Sequence, residues 1–129
     1  MSAGIVFEGI LPKFSAILLF MTKIQFQKHL QKVTKVIVDK YRPEKIILFG
    51  SAVDGDIHED SDADLVVIKD TATNFYDRIG EVSGIVPHGI PLDILVYTPE
   101  EFLKMQMDKY GYFVNDEIIG KGKVLYESS

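Results

Sequence analysis

Apolar and polar positions along this 129-residue chain follow two rhythms, one of three to four residues and one of short apolar runs. From Thr22 to Tyr41, Phe26, Leu30, Val33 and Ile37 recur at the spacing of one helical face, and Lys28, Gln31, Lys32 and Lys35 fall largely on the other. Thr22 with Gln25 makes a capping-box start and Pro43 a stop, so the pattern predicts a helix over 22–41 that covers a sheet. Three strands are predicted at Lys45 to Phe49, Asp62 to Lys69 and Leu92 to Val96. Between the last two, Phe75, Ile79 and Val82 are spaced as a short amphipathic helix, with N-cap candidates in Asp70 to Asn74 and an end near Gly84. Thr98-Pro99-Glu100-Glu101 is a strong helix start, with Thr as N-cap, Pro at the first position and Glu at the third. Phe102, Met105 and Met107 continue it, Gly111 interrupts, and a further helix is predicted over Tyr112 to Ile119 with Phe113 and Ile118 as its apolar positions. Gly120 and Gly122 then precede Lys123 to Tyr126, a small edge strand.

These elements predict an α/β (α+β) domain with a small mixed sheet and helices mainly on one face. Residues 1–21 read differently. Their last apolar run, Ala16 to Met21, is shorter than the about 20 residues a membrane helix needs, and an uncharged start without a small-x-small site does not fit a signal peptide. Met21-Thr22-Lys23 has the look of an ordinary protein start. Translation is therefore expected to begin at Met21, the alternative being a loosely attached apolar arm or an oligomer contact. The division is an N-terminal extension over 1–21 and one domain over 22–129, long enough to bury a core and small for a transferase with its own acceptor pocket.

The chemistry concentrates where the first strand ends. Ile46-Ile47-Leu48-Phe49 runs into Gly50-Ser51, ten residues follow, and the second strand opens with Asp62-Ala63-Asp64. In a strand, alternate side chains share a face, so the two carboxylates point one way and Ala63 the other. Such a pair suits Mg²⁺, which is usually held by one or two carboxylates together with substrate phosphates. Gly50, without a Cβ, lets a phosphate approach the backbone, and Ser51 opening a short helix would favour an anion. Gly-Ser turns and strand-edge Asp-x-Asp are each common as plain turn and rim chemistry. In this order and spacing they are more specific, and Asp93 on the third strand completes a triad. The 28 residues between Asp64 and Asp93 leave room for strand, helix and return, which lets the two lie side by side. His58, among the acids of the intervening loop, reads as a surface residue, and His88, just before the third strand, as a turn residue, the alternative being an approach to the site.

A formal net charge of −5 argues against an extended nucleic-acid surface, and the absence of cysteine removes disulfides and thiolate metal sites, leaving oxygen ligands. A cytoplasmic location without membrane association is the expectation.

Gly50-Ser51, Asp62-x-Asp64 and Pro91-Leu92-Asp93-Ile94-Leu95-Val96 together resemble the DNA polymerase beta-like nucleotidyltransferases, and within them the minimal nucleotidyltransferases (MNT) encoded beside HEPN-domain proteins. The resemblance covers roughly residues 24–126. It implies that Gly50 and Ser51 bind the nucleotide triphosphate and that Asp62, Asp64 and Asp93 are catalytic and carry two Mg²⁺ ions. It further implies ATP as donor and an acceptor hydroxyl, that of a tyrosine, on a HEPN-type toxin, with the chain acting as antitoxin in a homo- or hetero-oligomer. One departure is Asp54, in a segment where many relatives carry Arg or Lys, which disfavours a triphosphate. It supports one alternative, a non-catalytic module that neutralises a partner by covering it. The other alternative is a small-molecule transferase of the aminoglycoside-modifying kind.

Overall fold

The computed structural model describes residues 2–55, 57 and 61–129, and the side chains of residues 16, 17 and 21 onward within that set. The elements are α1 (Ser2–Tyr41), β1 (Lys45–Phe49), a 3-10 turn (Ser51–Asp54), β2 (Ala63–Ile68), α2 (Phe75–Ser83), β3 (Leu92–Tyr97), α3 (Pro99–Met107), a π-helical segment (Phe113–Gly120) and β4 (Lys123–Glu127). The strands form one mixed sheet in the order β3-β2-β1-β4. β1 is antiparallel to both neighbours, whereas β2 and β3 are parallel and joined through α2, the crossover that parallel strands require.

Period-two alternation sorts each strand onto two faces. Ile46, Leu48, Ala63, Leu65, Val67, Ile94 and Val96 meet Phe26, Leu30, Val33 and Ile37 of α1 and Val82 of α2 in one buried cluster. The alternate residues Ile47, Val66 and Ile68 meet Ile118 of the π-helical segment, with Phe49, Leu95, Tyr97 and Phe102 packed around them. The second face is therefore not bare. Beyond Asp64 it is apolar, and α3 and the π-helical segment cover that part.

The helix predicted to begin at Thr22 begins instead at Ser2 and crosses the 21/22 boundary without a break. A capping box starts a helix only where the preceding residues leave it, and Ala16 to Met21 contain good helix formers that let the helix propagate through. Ile17 and Met21 are exposed on it. At the other end, Arg42 takes a left-handed conformation (φ 54) and its N–H donates to the carbonyls of Ile37 and Val38, both at 3.2 Å. Pro43 follows, as predicted. Among the described residues no helix is long and apolar enough to cross a membrane.

Far from the acidic end, Arg78 is buried and joins three elements. Its Nε donates to the Thr73 carbonyl (2.6 Å), and its Nη1 donates to the Val96 carbonyl (3.3 Å) and to Glu101 Oε1 (2.6 Å). Glu101 Oε1 also accepts the Thr98 N–H (2.8 Å), while Thr98 Oγ1 accepts the Glu101 N–H (3.1 Å), completing the capping box expected of this start. Burial alone would raise the Glu101 pKa, but the Arg78 and Thr98 hydrogen bonds outweigh it and hold the carboxyl below its ordinary value.

Candidate active site

Asp62 stands just before β2 and Asp64 within it, on the face opposite the wholly buried Ala63. The parallel register pairs Asp64 directly with Asp93 on β3. One carboxylate oxygen from each of Asp62, Asp64 and Asp93 lies within 4.8 Å of the others. Asp62 and Asp64 are half-buried and Asp93 is exposed. The convergence expected of an alternate-residue pair and a neighbouring strand is present.

Gly50 abuts this cluster for two separate reasons. Its backbone (φ 82, ψ −162) lies where other residues are strained, and a Cβ there would sit 2.3 Å from Asp64 Oδ2. Ser51 opens the 3-10 turn and is exposed, the Val53 N–H donates to the Gly50 carbonyl at 3.2 Å, and left-handed Gly55 closes the turn. Asp54, the acid noted in place of a base, is the last residue of that turn and is exposed.

Burial, then the charges of Asp62 and Asp93, then a hydrogen bond with Asp93 push the Asp64 carboxyl from 3.8 up to about 6. Among the described residues no lysine or arginine pairs with any of the three. A hard divalent cation fits this donor set, because three oxygen ligands of like charge, close together and uncompensated, are relieved by the cation that they would bind.

His88 is exposed and lines a cleft with Pro87, Ile90 and Leu92 rather than joining the carboxylates. His58, Glu59 and Asp60 lie outside the described residues. A groove of about 510 Å³ between α1 and β4, lined by Leu30, Thr34, Val38, Leu125 and Tyr126, is away from the carboxylates. Among the described residues the three carboxylates form a ledge at the starts of β2 and β3 and line neither of these two clefts.

Two features were not singled out from the sequence. Arg78 lies at i+3 from Phe75 on the apolar stripe of its helix, and a charge on such a stripe is a signal that it is buried with partners. The second is an edge-on contact between Phe49, the cross-strand partner of Asp64, and Phe113, with ring centroids 5.9 Å apart at 88°. No one-dimensional spacing reveals it.

Comparison with known proteins bears on the family and the fold. The family model described as Polymerase beta, Nucleotidyltransferase matches residues 31–129. A Methanocaldococcus jannaschii protein named "Putative protein adenylyltransferase" is 28% identical over 103 residues, which is 78% of this chain and 97% of that protein. The crystal structure of a "putative nucleotidyltransferase" from Sulfolobus solfataricus superposes with a TM-score of 0.59 at 17% identity, over 84% of this chain and 86% of that one, a likeness of fold. The triad on paired strands, the glycine turn against it and the match over most of the chain lead to one conclusion: the protein belongs to the polymerase beta nucleotidyltransferase family.

Proposed function

We propose that this chain transfers AMP from ATP to a hydroxyl in a Mg²⁺-dependent reaction, and that the acceptor is a tyrosine of a HEPN-type partner, which the modification neutralises. The observation that carries the reading is the convergence of Asp62, Asp64 and Asp93 within 4.8 Å beside Gly50. These three carboxylates would hold divalent metal, two Mg²⁺ ions, which when bound lowers the pKa of the attacking hydroxyl and offsets the charge developing on the phosphate and the departing pyrophosphate. Gly50 keeps the backbone open for the triphosphate, and the exposed Ser51 offers it a hydroxyl donor. Asp93, the most exposed of the three, is the carboxylate that an incoming acceptor reaches first. It accepts the hydroxyl proton as the bond from that oxygen to the α-phosphorus forms and the bond to pyrophosphate breaks.

A protein acceptor is favoured by the M. jannaschii protein, whose name states a protein adenylyltransferase and which this chain matches over 97% of its length. Little of that relative is left over for a separate acceptor domain, so the partner supplies the acceptor surface. Under this reading the chain works in the cytoplasm as the antitoxin half of a hetero-oligomer, in the manner of the MNT proteins. The test is intact-mass measurement of a HEPN-domain protein encoded beside this one after incubation with the chain, ATP and Mg²⁺. A gain of one adenylyl unit, mapped to tyrosine, is expected. An unmodified partner, together with pyrophosphate release on a small-molecule acceptor, would replace the protein acceptor with the aminoglycoside-type alternative.

A further inference from the structure

We propose that Phe113 is the wall against which the donor's nucleobase stacks, an inference that rests on the nucleotidyl-transfer reading above. Cross-strand register places three side chains in a row on the second face: Asp93 of β3 pairs with Asp64 of β2, and Asp64 pairs with Phe49 of β1. Strand neighbours are about 4.8 Å apart, so the row spans the ledge from acid to aromatic. An acceptor deprotonated at Asp93 approaches from the β3 end. In-line displacement then leaves the donor on the other side of Asp64, at the β1 end with Gly50.

The apolar surface at that end comes from the π-helical segment. The i→i+5 winding, seen in the Lys121 N–H donating to the Asp116 carbonyl at 3.0 Å, brings positions five apart toward one face. It lets Phe113 share the inward side with Ile118, which is fully buried against Ile47 and Val66. The Phe113 ring is held in an edge-to-face contact with Phe49, while the Phe113 residue as a whole remains 39% exposed. A half-exposed aromatic ring beside a site for a polyanion gains nothing from the phosphates. It offers a π-face to a flat heterocycle, whatever the base. π-helical turns are rare and occur frequently at functional sites, which agrees with a role for this one in presenting the ring.

The test is calorimetric titration of the full chain, in Mg²⁺, with ATP and with inorganic tripolyphosphate, which lacks the base. For wild type, ATP is expected to bind more tightly than tripolyphosphate. Phe113→Ala should weaken ATP roughly tenfold or more, the usual loss when a stacked base loses its ring, Phe113→Leu should weaken it less, and Phe113→Trp should restore it. Tripolyphosphate should bind all four proteins alike, with melting temperatures reported beside each titration. Unchanged ATP affinity in Phe113→Ala, or a parallel loss of tripolyphosphate, would overturn the assignment while leaving nucleotidyl transfer standing. The same holds if Phe113→Ala raises only the KM for the acceptor, which would give the ring to the acceptor instead. Wild type that binds neither ligand would overturn the underlying reading as well.

Discussion

Asp64 is the residue at which fold and chemistry oppose each other. Its carboxyl is pushed up to about 6 by burial and then by Asp62 and Asp93, so between about 4 and 6 the folded protein binds a proton that the unfolded chain releases. Stability contributed by that proton is present at low pH and is lost as pH rises through this window, the reverse of a salt-bridged carboxylate. In the metal-free protein, Asp64→Asn should therefore raise the melting temperature above pH 6 by a few degrees, corresponding to on the order of 1 kcal/mol once solvent screening is allowed for, with the gain vanishing toward pH 4. Thermal denaturation across pH checks this. Adding Mg²⁺ at neutral pH should raise the melting temperature of wild type and not of the variant, since the charge that costs stability is the charge that would hold the ion.

At the level of elements, two junctions hold the sheet in the geometry that the site needs. Arg78 ties α2 to the Val96 carbonyl of β3 and to Glu101 of α3, so the strand that presents Asp93 is anchored at its far end. Arg78→Met should destabilise by about 2–3 kcal/mol, because two carbonyls and a carboxylate lose their donor in a protected place. The pH profile gives a second readout. Glu101 is held below its ordinary pKa, so the pair's contribution is present above the usual carboxylate range and is lost as pH falls through the lowered value. The acid limb of the stability curve should be shallower in Arg78→Met than in wild type. At the end of α1, Arg42 occupies a left-handed position that glycine adopts at no steric cost. Arg42→Gly should stabilise by roughly 0.5–1 kcal/mol in chemical denaturation, the strain relieved exceeding the added chain entropy.

For the whole molecule, the sheet and its acidic end were legible in the chain, because period-two alternation and Asp62-Ala63-Asp64 describe the same surface from both sides: Ala63 buried, the aspartates on the other face. The capping box at Thr98 was legible because every group it uses lies within four residues. What was hidden depended on longer reach. The identical logic at Thr22 gave a helix start where the helix runs on, since a cap motif carries no information about whether the preceding residues leave the helix. Tyr112 to Ile119 reads as an α-helix by spacing, and a π winding with Phe113 turned onto Phe49 becomes visible only when β1 lies beneath it. Central to the proposed function is that three carboxylates, assembled across two parallel strands, run a nucleotidyl transfer. The most direct test is intact-mass detection of adenylyl transfer to the proposed HEPN-type partner by wild type, Asp62→Asn and Asp64→Asn, with partner inhibition measured in the same samples. Asn keeps the shape and removes the charge, so the account predicts an adduct with wild type and a rate at least about a hundredfold lower with either variant, while both variants remain folded. Full inhibition of the partner by a double Asp62→Asn, Asp64→Asn variant, with no adduct from wild type under any condition, would contradict it and make the chain a binding module that has kept only the fold.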